Sequence, residues 1–171
     1  MKKITGLVIM VFILALTFGS AFAATYPHKE GKIEITIPDS WKVTAEGDGM
    51  RAEVKGDTDA DNLTIDLELV KADDLEKSLV ESEKWITKEL GAIKSEKTAE
   101  IELNGMKTYI EDFSAQEGKM AVSIALILTP ANKFLCIYYF ATPEAEKKHE
   151  KVITEILQSI KPLAEAAIEK K

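Results

Sequence analysis

A single cysteine, Cys136, serves all 171 residues, so no intramolecular disulfide can form. Its setting, Phe134-Leu135-Cys136-Ile137-Tyr138, marks it as a small buried hydrophobe. An activated thiol would want an exposed, electropositive site and a histidine partner. Histidine is almost as scarce, with only His28 and His149, one towards each end. There is no H-E-x-x-H motif and no Cys/His cluster, which argues against zinc. Hydrolysis by an activated serine has no foothold either, because no G-x-S-x-G elbow and no S-x-x-K motif occur. Basic residues are outnumbered, 22 Lys and Arg against 29 Asp and Glu, giving a formal net charge of −7. Such a chain repels phosphate backbones, which argues against nucleic acid as a partner. No internal repeat and no low-complexity stretch breaks the sequence.

Long apolar runs are also few. The first lies at the N-terminus, where Met1-Lys2-Lys3 precedes Leu7–Phe18 and then Ala21-Phe22-Ala23. A positive start, a short apolar stretch and an A-x-A site make a secretory signal peptide over residues 1–23, cleaved after Ala23. That run is too short to span a bilayer comfortably, and nothing later approaches one. Cleavage removes Lys2 and Lys3 and takes the formal charge from −7 to −9. The expectation is an exported, periplasmic protein without stable membrane insertion. Its mature part is one α+β domain over 24–162, followed by a frayed tail over 163–171. At 46% hydrophobic and 30% charged, the composition suits a globular domain large enough to bury a core.

The domain is organised around Lys119–Thr142. Two apolar runs, Met120–Leu128 and Phe134–Phe140, flank Thr129-Pro130-Ala131-Asn132-Lys133 and predict a long hairpin. Val122, Ile124, Leu126 and Leu128 share one face, and Ala121, Ser123, Ala125 and Ile127 the other. Apolar or small residues on both faces place this hairpin mid-sheet, covered on both sides. Earlier strands are predicted over Tyr26–Lys29, Ile33–Ile37, Trp41–Glu46, Met50–Lys55 and Leu63–Leu69, and later ones over Ala92–Leu103 and Met106–Ala115 about Asn104-Gly105. A helix follows Asp73, with Glu76 completing a capping box. Leu75, Leu79, Ser82, Ile86 and Leu90 form its inner face, with Val80 and Trp85 flanking and Gly91 as the stop. The last helix starts at Thr142-Pro143-Glu144, buries Val152, Ile153, Ile156 and Ile160, and ends at Pro162. The order predicts a central antiparallel sheet flanked by two main helices.

One loop carries a candidate metal site. Asp57, Asp59, Asp61 and Glu68 occupy positions 1, 3, 5 and 12 of a twelve-residue calcium loop, whose spacing lets a hard dication collect oxygen ligands. Asn62 stands where that loop needs Gly, and Leu63–Leu69 reads as strand, so no exiting helix positions Glu68. The competing expectation is a solvated acidic turn. His149, amid the apolar stripe of the last helix, would be either a general base or pH switch, or a partly buried ring held by a hydrogen bond.

Three stretches carry a family resemblance: Ile35-Thr36-Ile37-Pro38-Asp39-Ser40-Trp41, Leu103-Asn104-Gly105, and Ile156-Leu157-Gln158-Ser159-Ile160-Lys161-Pro162. With the element order, they resemble the PsbP-like family of extrinsic photosystem II subunits and their non-photosynthetic bacterial relatives. The chain is also similar to the DcrB-type periplasmic proteins and, in fold, to a small Ran-binding nuclear factor. The resemblance covers Tyr26 to Pro162 and implies an α/β/α sandwich and non-catalytic proteins that bind partners. No catalytic residues transfer, because the matching positions are turn and core residues.

The expected function is therefore a non-catalytic binding or accessory protein, not an enzyme, whose partner is another exported protein or an envelope component. No cofactor is expected, calcium aside. The alternative is a small-ligand or calcium-binding module using the acidic loop 57–68 or a groove beside the sheet. An enzyme would have to use His149 with carboxylates.

Overall fold

The computed structural model describes residues 23–46, 49–54 and 63–164. In chain order its strands are β1 (Ala23–His28), β2 (Ile33–Pro38), β3 (Lys42–Glu46), β4 (Gly49–Val54) and β5 (Leu63–Lys71). Helix α1 (Leu75–Leu90) follows, then β6 (Ile93–Leu103), β7 (Met106–Ala115), β8 (Met120–Leu128) and β9 (Lys133–Ala141). Helix α2 (Pro143–Ser159) and the short β10 (Lys161–Pro162) close the described chain. A seven-stranded antiparallel sheet runs in the order β3-β4-β5-β9-β8-β7-β6, and β1, β2 and β10 form a three-stranded one. The predicted central hairpin is β8–β9, and β9 is the middle strand of the seven.

Both faces of that hairpin are covered, as its composition requires. On one side Ile127, Leu135 and Ile137 pack with Leu63 and Ile65 of β5, Ile153 and Ile156 of α2, and Ile33, Ile35 and Ile37 of β2. On the other, Val122, Cys136, Tyr138 and Val70 pack under Ile86 of α1. The two cores are the two faces of one sheet, set by the period-two alternation of its strands.

The stretches behind the resemblance meet at one corner. Asn104 turns the β6–β7 hairpin with φ of 49° and donates its side-chain N–H to Gln158 O at 2.8 Å and Ile160 O at 2.7 Å. The backbone N–H of Thr36 donates to Ser159 Oγ at 2.8 Å. Beyond the helix, Lys161 and Pro162 pair with Glu34 and Ile33. Helix α2 thus ends at Ser159, before Pro162, because proline holds its predecessor extended and Asn104 takes the last carbonyls. Leu163, assigned to the tail, donates its backbone N–H to Lys32 O at 2.9 Å. Replacing Asn104 with Ala combines a left-handed backbone with two carbonyls left unpaired. Thermal or denaturant unfolding should show a loss of roughly 1–3 kcal/mol.

Some boundaries differ from expectation. Strand β1 starts at Ala23, opposite Pro38, so cleavage after Ala23 would remove only that terminal pairing. The predicted capping box is not formed. Asp73 lies in a 3₁₀ turn, Ala72–Asp74, that runs directly into α1, and the N-cap Asp74 makes no side-chain cap bond. The 3₁₀ turn already supplies a carbonyl, Ala72 O, to the amide of Leu75. At α2 the expectation holds: Thr142 Oγ1 accepts from the amide of Ala145 at 3.1 Å, with Pro143 first in the helix.

Candidate functional site

Helix α1 covers only part of its side of the sheet. Ile86 is its one buried residue, while Trp85 is 49% and Val80 43% exposed. Between α1 and strands β4, β5 and β9 runs a groove of about 540 Å³, open to solvent. Strand alternation builds its floor: Leu63, Ile65 and Leu67 turn to the core beneath, which leaves Asp66 and Glu68 on the groove side. Arg51 stands opposite Asp66 on β4, and Tyr138 opposite it on β9. Arg51 grips Asp66 through two parallel bonds, Nε to Oδ1 at 2.6 Å and Nη2 to Oδ2 at 2.9 Å, the bidentate geometry that guanidinium favours.

The wall is one stripe of α1. Ser78, Glu81, Ser82 and Trp85 recur at helical spacing and line the groove. Ser82 Oγ donates to Tyr138 Oη at 2.8 Å, tying helix to sheet. Burial pushes the Tyr138 phenol up to about 12, the Ser82 bond opposing it, so the hydroxyl stays protonated. Trp85 meets Phe140 edge-on, with ring centroids 5.6 Å apart and planes at 77°. A shallower stretch of about 360 Å³ continues along β5 past Lys71, Asp74 and Lys77, sharing Glu68, Leu69, Ser78 and Glu81 with the first.

The candidate residues from sequence divide as follows. Asp57, Asp59 and Asp61 lie outside the described residues. Glu68 is on β5, opposite Cys136, and lines the groove. Among the described residues no group of three or more His, Cys, Asp or Glu could hold a metal ion. Cys136 is a core residue as expected, its thiol pushed up to about 12 by burial and then by the Glu68 carboxylate. His149 packs edge-on against Trp41 at 6.3 Å, and its buried Nε2 has no hydrogen-bond partner among the described residues. A hydrogen bond holding the buried ring was one expectation; at Nε2 there is none, and the Trp41 ring packs against the imidazole.

Beneath α2 lies a second polar feature. Glu146 shares a cavity of about 40 Å³ with Asp112, Ser123 and Tyr139. Burial, then Asp112, then Glu150 raise the Glu146 carboxyl above its ordinary 4.5. Burial likewise raises the Tyr139 phenol, and Glu146 adds to the effect. A carboxyl raised on folding contributes stability below its unfolded pKa and loses it as pH climbs through the folded one. Glu146→Gln should therefore melt higher than the parent at pH 7. That gain should vanish as pH falls to about 4.5 and below, as melting curves across pH would read.

Solved structures share this fold. The chain is similar to the cyanobacterial PsbP (CyanoP) of Synechocystis sp. PCC 6803, with a TM-score of 0.58 and 11% identity over 83% of this chain and 93% of that one. It is similar to LpqN of Mycobacterium tuberculosis, with a TM-score of 0.52 and 15% identity over 81% and 84%. A Pseudomonas aeruginosa protein of unknown function, PA94, matches with a TM-score of 0.51 and 17% identity over 80% and 94%. No family model and no curated protein matches the chain in sequence. The fold is PsbP-like, an α+β arrangement of antiparallel sheets and two helices, as the sequence resemblance implied. Among the described residues no helix is long and apolar enough to cross a membrane.

Proposed function

We propose that the protein is an exported, non-catalytic accessory protein of the cell envelope that binds a partner polypeptide in the groove between α1 and β4, β5 and β9. The observation that carries this is the groove itself. It presents a half-exposed Trp85, a fixed Arg51–Asp66 pair and anchored hydroxyls, the aromatic and arginine chemistry enriched at contact sites. The only thiol is buried with its pKa pushed up to about 12, and the His149 ring packs on Trp41, which supports a binding role over catalysis. LpqN, which shares the fold, is involved in cell envelope biogenesis, and this supports the envelope as the setting. A volume of about 540 Å³ is within the range of small-ligand pockets, but such pockets enclose most of their ligand and this groove is open.

Two measurements test the reading. Intact mass of protein from a secreting host should give a mature chain starting at Ala24; a full-length, membrane-bound product would overturn export. A photo-crosslinking residue at Lys77 or Ser78 should capture one stoichiometric envelope polypeptide, and one at Thr98 on the β6 edge should not. Equal capture from all three positions would remove the groove as the contact site. A small molecule co-purifying with partner-free protein would replace the polypeptide as its occupant.

A further inference from the structure

We infer that the groove receives a lysine or arginine side chain from an extended segment of the partner, its aliphatic stem on Trp85 and its cationic end between Glu68 and Glu81. The inference rests on the groove being the contact site and adds the chemistry of what enters it. Around the larger stretch stand three carboxylates, Asp66, Glu68 and Glu81, against one guanidinium, Arg51. Arg51 holds both oxygens of Asp66. Glu68, from the strand, and Glu81, from the helix, make no ion pair or side-chain hydrogen bond among the described residues, so the larger stretch presents two unpaired carboxylates from two walls. A cation placed there relieves their mutual repulsion and is attracted by both.

Trp85 supplies the second half of the site. Its indole is 49% exposed on a helix otherwise rich in Glu and Lys, and it stands nearly perpendicular to Phe140. An aromatic surface beside carboxylates is what a long basic side chain requires, since its methylene stem packs on the ring and its charged end reaches beyond. Lys71, Lys77 and Asp74 line only the shallower stretch and none of them lines the larger one, so the basic residue belongs at the Trp85 end. The occupant is an extended polypeptide because the two stretches form one open channel along β5, through shared Glu68, Leu69, Ser78 and Glu81. The net charge of −7 draws basic partners to the surface in the first place.

The probes are two capped hexapeptides, alternating Leu with Lys or Leu with Glu, and lysine amide as the free cation. Binding is read from the Trp85 indole N–H signal in the isotopically labelled full-length protein, with the buried Trp41 indole as internal reference. The Leu-Lys peptide should shift Trp85 and leave Trp41 in place, with affinity falling as salt rises. Glu68→Gln with Glu81→Gln should weaken it about tenfold or more, and Trp85→Ala, read by calorimetry, should weaken it comparably. The double Gln variant should melt as the parent does, since Glu68 and Glu81 are exposed. Trp85→Ala should melt somewhat lower for loss of the Phe140 contact and is compared at a temperature where it remains folded. Equal binding of the Leu-Glu peptide, an unmoved Trp85 signal, or undiminished binding by the double variant would overturn the inference. Lysine amide binding as tightly as the hexapeptide would overturn the polypeptide assignment. If crosslinks from Lys77 and Ser78 persist while the two peptides bind equally, the contact-site reading stands and the cationic occupant alone falls.

Discussion

Trp41→Ala should destabilise the fold by about 3–5 kcal/mol, the range for deleting a large buried aromatic and leaving its cavity. The indole is 6% exposed, belongs to the core between the two sheets, and meets the His149 ring at 6.3 Å with planes at 82°. Its position follows from the turn before it, where the Trp41 amide donates to Pro38 O at 3.0 Å and swings the side chain inward as the chain leaves β2. Removing the ring exposes one face of His149 and undercuts the contact between α2 and the three-stranded sheet. Trp41→Phe, which keeps most of the apolar area, should lose much less. Denaturant unfolding should show the midpoint falling with little change in slope. A loss below about 1 kcal/mol would show that the indole contributes no core packing.

Ile86→Ala should be nearly as damaging, at about 2–5 kcal/mol. Ile86 is fully buried and is the single buried residue of α1, packed with Val70, Val122, Cys136 and Tyr138. The rest of the helix holds on by half-buried leucines and the Ser82–Tyr138 hydrogen bond of 2.8 Å. Cutting the central anchor should loosen the groove wall, so the damage should appear twice. Unfolding should give the stability loss, and amide exchange should report α1 opening at lower free energy than α2. Ile86→Val should cost about 0.5–1.5 kcal/mol and leave the groove intact. Equal exchange in both helices of Ile86→Ala would mean that α1 has no independent opening mode.

Where side-chain alternation and turn chemistry act locally, the sequence was readable. Val122 and Ala121 alternate to opposite cores as predicted, the Asn104-Gly105 turn is real, and Thr142-Pro143 starts α2. Strand β10 is not legible in the sequence because two residues carry no period, and only a partner in β2 makes them a strand. The capping box failed because a 3₁₀ turn and a free N-cap look alike in sequence. The groove was half legible. The alternation of Leu63, Ile65 and Leu67 with Asp66 and Glu68 puts both carboxylates on one face, but the helical pattern sets Trp85 beside the core when half of it is open. The signal was available in Ser78, Glu81, Ser82 and Trp85, a helical stripe of hydroxyls and one aromatic. What no local pattern supplies is which strands that stripe lies over, because the Arg51, Asp66 and Tyr138 rungs join parts of the chain remote in sequence.

The place of β9 has a consequence for the order in which the molecule can assemble. Lys133–Ala141 is the last long strand in sequence and the middle one in space, pairing with β5 on one side and β8 on the other. A chain emerging from its N-terminus can form the β3–β4–β5 meander and later the β6–β7–β8 meander, since each needs only neighbouring turns. Neither can close its core, because the strand that joins them arrives behind both. Nascent β5 and β8 therefore each wait with an open edge, and the final step is the insertion of one late strand between two waiting halves. Closing the β5–β9 pair bridges the largest loop in the seven-stranded sheet, the entropic step expected to limit the rate. Truncation before β9 should yield two unjoined meanders rather than a smaller stable domain.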